Sequence, residues 1–465
     1  MFGGTKHTSY IGGALLAACM FAAGSAGAAD LGGGCCADLE ERIAELEATT
    51  ARKGNRVVSL QITGAVNEAL MIWDDGVESD AYVVTNTGYQ SRLTLSGTGQ
   101  VNPDVKAGFV ITLGIFGSPS FVVDQTNDES ISNAVGAQPD QIFIRESKVY
   151  IESERLGRLS IGQQHTAADE ITAINVARSV YVDSSAHQVF VGGFQLRDGD
   201  ALTGFRFGNL MGQDATNPPG DAARFDVIRY DSPSIAGFKV SASWGEDDMW
   251  DVALRYAGLL GGRFKAAAGI AYGARTDGDF VPGASANGTA GSNINGCLFV
   301  DQKVDCHQIG MSGSIMDMGT GLFIHAAYGI NTDENKDEVA ASAGLGNVDD
   351  ENSFFYLHGG IEKKWMPYGA TTLFAVYGQF DTGFSRAVLA PGAAPVIGSF
   401  ENGEIEMWGL GIVQNFESAS LDLYLKYNHY SASADNVTTN LPGDSPSDID
   451  FNDFDVIYAG ARITF

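Results

Sequence analysis

The chain has 465 residues, with 57 acidic and 28 basic side chains and a formal net charge of −29. That balance excludes nucleic-acid binding, which needs clustered Lys and Arg to neutralise phosphates, although it also fits a solvated acidic surface with no partner. After about residue 56 no composition shift, proline-rich stretch or low-complexity linker divides the chain, so one large architecture replaces the two or three soluble domains that length alone allows.

Residues 1–29 have the pattern of a secretory signal peptide: Lys6 and His7, an apolar core from Ile11 to Phe21, and the small residues Ala26-Gly27-Ala28-Ala29 as a cleavage site. Leu16-Ala17-Ala18-Cys19 also matches a lipoprotein box, with less support because a better-spaced site follows. Residues 30–56 carry the one helical pattern. Leu39, Ile43 and Leu46 form a single apolar stripe, acids lead, and Arg52-Lys53-Gly54 ends it. This short coiled-coil-like segment either helps copies associate or lies under the domain that follows. No run of about 18 apolar residues occurs after the signal, so a transmembrane helix is not expected.

From Val57 the period becomes two. Leu421, Leu423, Leu425 and Tyr427 alternate with Asp422, Tyr424, Lys426 and Asn428, as in a strand with one face in lipid and the other in water. The same alternation predicts sixteen strands: 57–72, 89–101, 105–116, 141–153, 157–163, 224–231, 237–245, 250–257, 263–273, 307–316, 321–330, 353–364, 370–380, 404–416, 420–430 and 455–465. Tight turns such as Asn102-Pro103-Asp104 and Asp317-Met318-Gly319-Thr320 alternate with long polar connections at 274–306, 331–352, 381–403 and 431–454. An even strand count with this asymmetry predicts an antiparallel transmembrane β-barrel over 57–465, with a lumen too wide for side chains to fill. Cys297 and Cys306 flank a short segment and are candidates for a loop disulfide. A zinc site has less support there, because His307 is the only nearby imidazole. No metal or cofactor is assigned.

The segments CCADLEERIAELEATTARKGNR before the first strand, SRLTLSG at 91–97, RLGRLSIGQQHTAADE at 155–170, IRYDSPSIAGFKVSASWGED at 228–247 and the terminal Phe465 together resemble the general porins of Gram-negative bacteria, most closely their alphaproteobacterial, rhizobial-type branch. The resemblance implies an outer-membrane homotrimer passing small hydrophilic solutes and ions by passive diffusion, among lipid and lipopolysaccharide. It makes Phe465 the signal read by the barrel-assembly machinery. It implies that the loop after the fifth strand folds inward as a constriction, starting near His165, though it is long here and includes an unplaced strand-like piece at 201–207. Arg92, Arg145 and Arg229 match the basic wall of such a constriction, and Asp169, Glu170 and Asp183 its loop acids. Arg158, Arg178, Arg197 and Arg206 are further lumen candidates.

Enzymatic activity is not expected, since no histidine of the mature chain has nucleophile-elbow or metalloprotease spacing. The alternatives are a substrate-selective outer-membrane channel and, with less support, a secreted soluble β-sheet binding protein.

Overall fold

The computed structural model describes residues 58–128, 142–212, 217–245, 248–276, 305–336, 340, 348–390, 396–441, 443 and 445–465, with the backbone alone of two short strands between 292 and 299. The expected signal peptide, the N-terminal helix and the Cys297 side chain lie outside the described residues.

Sixteen strands form the wall: β1 (Gln61–Asp74), β2 (Arg92–Asn102), β3 (Val105–Ile115), β4 (Ile142–Ser153), β5 (Gly157–His165), β6 (Arg224–Asp231), β7 (Phe238–Gly245), β8 (Trp250–Leu260), β9 (Phe264–Arg275), β10 (Cys306–Asp317), β11 (Leu322–Asp333), β12 (Glu351–Met366), β13 (Gly369–Thr382), β14 (Asn402–Phe416), β15 (Leu421–Thr439) and β16 (Phe454–Thr464). Each is antiparallel to the next, and β16 closes the ring on β1 from Ala65 opposite Thr464 to Asp74 opposite Asp455. Closure satisfies every ladder and leaves no edge, the condition for crossing hydrocarbon with strands.

The second wall position differs from its sequence pattern. Ser79–Thr85 pairs with the upper half of β1, a 3₁₀ turn at Thr87–Tyr89 interrupts, and β2 pairs with the lower half. The interruption is held by side chains: Asn86 accepts from the Gly88 N–H and donates to the Tyr424 hydroxyl at 2.8 Å, and that hydroxyl donates to Asn67.

Outward positions form an apolar band that includes Leu70, Val149, Ile161, Val240, Leu254, Ile270, Met311, Ile324, Leu373, Leu410, Leu425 and Ile457, all exposed. In water such a continuous apolar surface would drive association; around a closed barrel it is the lipid contact. Among the described residues no helix is long and apolar enough to cross a membrane.

The interior departs from a simple water-facing lining. On β12, β13 and β14 the inward positions Phe354, Tyr356, Phe374, Val376, Phe380, Ile405 and Met407 are buried, and they pack in one core with Val189, Phe190, Val191, Phe194, Phe207 and Leu210 of the segment after β5. Where they meet that segment, these strands therefore present apolar side chains inward as well as outward. Each fully buried aliphatic or aromatic side chain contributes about 1.5–3 kcal/mol, so this contact fixes the in-folded segment against one side of the barrel. The strand-like piece at 201–207 becomes one arm of a small hairpin, Gln195–Asp198 with Ala201–Arg206, within that segment.

Candidate functional site

The in-folded segment leaves β5 through a turn whose backbone is held by the wall. Arg229 of β6 donates to the His165 and Thr166 carbonyls at 2.9 and 2.7 Å. Arg255 of β8 donates to those of Ala167 and Asp169 at 2.6 and 2.8 Å. The Asp251 carboxylate accepts from the Ala167 and Ala168 N–H groups at 3.1 and 2.8 Å. Guanidiniums thus take the carbonyls and a carboxylate takes the amides, which satisfies a buried, irregular backbone that could not reach water.

The following residues are set by this clamp. Asp169 is 6% exposed and meets His165 Nδ1 at 2.8 Å and Arg224 at 3.9 Å. Burial alone would raise its carboxyl, but His165 and then Arg224 outweigh burial and hold it below the ordinary value. Asp221, on the returning chain, accepts from the Ile171 N–H and the Thr172 hydroxyl, and burial together with the nearby Asp169 charge raises it well above that value. Glu170 has φ 59°, the left-handed region, and is exposed. A non-glycine residue there costs about 1–2 kcal/mol, which the clamp on both sides offsets.

Opposite this turn lies a cavity of about 1170 Å³. Its basic lining is Arg92, Arg145, Lys148, Arg158, Arg224, Arg229, Lys239 and Arg255; its acids are Asp169, Glu170, Asp221 and Asp231. Eight cations therefore face four carboxyls, of which Asp221 is pushed towards its neutral form. Arg92 stacks on Tyr89 at 4.2 Å and donates to the Gln90 carbonyl, while Arg145 donates to the Gln90 side chain. Among the described residues neither forms an ion pair. Arg229 is engaged differently: besides clamping the turn it pairs with Asp231 at 2.9 Å.

Arg92, Arg145, Arg229, Asp169 and Glu170 thus line one cavity, and Asp183 stands elsewhere. Its carboxylate, 1% exposed, accepts from the Tyr356 hydroxyl at 2.9 Å and from Asn428 at 3.1 Å, and meets Lys426 at 3.3 Å and His187 at 3.2 Å. Of the further arginines, Arg158 lines the cavity. Arg178 meets Asp422 at 3.4 Å, Arg197 meets Asp75 at 2.8 Å, and Arg206 meets Asp124 at 2.9 Å. Lys148, Arg224, Lys239, Arg255 and Asp251 were not singled out by sequence. Alternation would have marked Asp251, Arg255 and Lys148 as inward, but not their partners. Cys306 is disulfide-bonded.

A closed sixteen-strand barrel with an apolar outer band and an inward loop beside a charged lumen is the architecture of a porin-type channel. The family model described as Gram-negative porin matches residues 14–462, and the chain belongs to that family. It is a diffusion channel of the bacterial outer membrane. No curated protein sequence matches it. Among solved structures, the anion-selective porin of Comamonas acidovorans is similar in fold, with 14% identity, TM-score 0.50, and 88% of this chain and 100% of that chain covered. OmpT, an outer-membrane protein of Vibrio cholerae, has 14% identity and TM-score 0.49 over 89% and 99%.

Proposed function

We propose that the cavity between β2–β8 and the turn at 165–170 is the constriction of the channel, and that it favours small hydrophilic anions. The observation that supports this reading is the pair Arg92 and Arg145: two guanidiniums on the lumen wall with no direct ion pair among the described residues, in a lining where cations outnumber acids two to one. Charges at the narrowest, least screened part of a path weigh more on a passing ion than charges in bulk water. Glu170 acts as the opposing acid, and Asp169 stays paired with His165 and Arg224. Asp183 is a loop anchor and takes no part in the passage. Transport is passive and non-enzymatic, and the assembly is a homotrimer, for which chemical cross-linking in detergent is the direct test.

Reversal potential in a potassium chloride gradient tests the charge assignment. The wild-type channel is expected to select chloride, and Arg92→Ala with Arg145→Ala to move selectivity towards potassium. A wild-type preference for potassium that neither substitution alters would refute it. Linear conductance with rising concentration of any sugar or amino acid separates a general channel from a substrate-selective one, which saturates.

A further inference from the structure

We propose that the long-loop rim of the barrel carries a binding site for a borderline divalent transition metal of the zinc class, formed by Asp305, His307 and Glu334. The ladder between β10 and β11 sets Cys306 opposite Asp333 and His307 opposite Thr332. One step beyond the last pair, the Glu334 N–H donates to the Asp305 carbonyl at 3.0 Å, so the pairing continues and Asp305 stands beside Glu334. Side chains alternate along a strand, so Asp305 and His307 share the outward face with Ile309 and Met311, and Glu334 shares it from the neighbouring strand.

One ligand atom from each of the three residues lies within 4.8 Å of the others, and His307 Nε2 is 3.4 Å from Asp305 Oδ1. Ligands about 2.1 Å from one tetrahedral ion are ~3.4 Å apart, so the first pair needs no movement and the exposed Glu334 carboxylate a small one. The imidazole is oriented from behind: its Nδ1 hydrogen-bonds the Tyr272 hydroxyl at 3.0 Å, and the two rings stack. With Nε2 on the metal, Nδ1 carries the proton and donates it to the Tyr272 oxygen, the outer-shell arrangement that fixes a coordinating histidine. The disulfide at Cys306, between the first two ligands, restrains their backbone.

One imidazole with two carboxylates suits zinc and its neighbours, whereas calcium and magnesium take oxygen sets with more ligands or retained waters. Three protein ligands leave a further position for water or an external oxygen donor. Coordination would join the end of the connection before β10 to the start of the one after β11.

The test is equilibrium dialysis of the folded, detergent-solubilised protein against zinc, with metal analysis per chain. Wild type is expected to hold one tight equivalent that His307→Ala and the shape-preserving pair Asp305→Asn with Glu334→Gln both lack. Tyr272→Phe is expected to keep that equivalent with affinity lowered about 10–100-fold. Wild-type binding without a tight equivalent, or all variants binding zinc as tightly as wild type, overturns the site. Displacement of zinc by an equal concentration of magnesium or calcium overturns the class of metal. The pair Asp305→Asn with Glu334→Gln changes only a half-buried and an exposed rim group to isosteric amides, so its heat-modifiable electrophoretic mobility should match wild type and loss of zinc cannot be attributed to misfolding.

Discussion

At Asp183 the carboxylate has exchanged water for the Tyr356 hydroxyl, the Asn428 amide, the Lys426 ammonium and the His187 ring. Lys426 is itself 1% exposed and lies 3.0 Å from the Phe190 ring centre, so Asp183 is its only carboxylate partner among the described residues. Replacing Asp183 with Asn therefore strands a buried cation, and a loss of about 3–5 kcal/mol in the attachment of the in-folded segment is expected. Faster trypsin cleavage within 166–212 reads that loss. The pH dependence has a definite sign. Burial alone would raise the Asp183 carboxyl, but Lys426 and His187 hold it below its ordinary value, while burial lowers His187 despite Asp183. Both groups are depressed in the folded state. The His187 contribution is complete above its unfolded value near 6.5 and that of Asp183 above about 3.9, and each is lost as pH falls through its folded value. Protease sensitivity of the segment is thus expected to rise on acidification from neutral pH, and to rise again below the carboxylate range.

The wall strands were legible because each needs only a period of two, and residues such as Leu421 to Asn428 carry that period whatever covers the inner face. The in-folded element was not. Its course depends on contacts between residues far apart in the chain: Ser179 with His358, Arg197 with Asp75, Ser312 with the Ile171 carbonyl. The inward aromatics of β12–β14 read as strand residues, yet nothing in their spacing says that a loop, not water, covers them. Two glycines set the closeness of the returning chain. A Cβ on Gly329 would lie 1.8 Å from the Pro219 carbonyl oxygen, and Gly220 at φ +80° has its own Cβ position 2.3 Å from the Ile309 oxygen. Gly329→Ala must push the return at 218–222 off the wall. Single-channel recording is expected to show an altered conductance with added open-state noise; currents identical to wild type would mean that the return does not shape the passage. The assignment of Arg92 and Arg145 to a basic wall came from resemblance, whereas the clamp of Arg229, Arg255 and Asp251 on the turn was visible only once the strands had closed.

Across the whole molecule the acidic composition and the basic lumen occupy different places. Asp349, Glu351, Asp381, Glu404 and Asp435 line a cavity of about 360 Å³ at the long-loop end. The arginines lie within the wall beside the in-folded turn. Exposed charges are screened over about 8 Å at physiological ionic strength, so a net charge of −29 does not decide selectivity at the proposed constriction. The outer band has its own consequence. Leu254, mid-strand in β8 and 42% exposed, faces lipid, and Leu254→Arg is expected to cost about 2–4 kcal/mol in guanidinium unfolding from vesicles, against little change for a polar residue placed on a rim loop.

The division of the interior into a packed half and a wet half is tested most directly by thiol accessibility in the open channel. Arg145→Cys and Val376→Cys, both inward-facing, are exposed in turn to a small charged methanethiosulfonate while current is recorded, with the unsubstituted protein as control. Modification is expected to change the current at once for Arg145→Cys and to leave Val376→Cys unaltered. Equal reaction at both positions, or reaction at Val376→Cys alone, would contradict a passage confined to the arginine side.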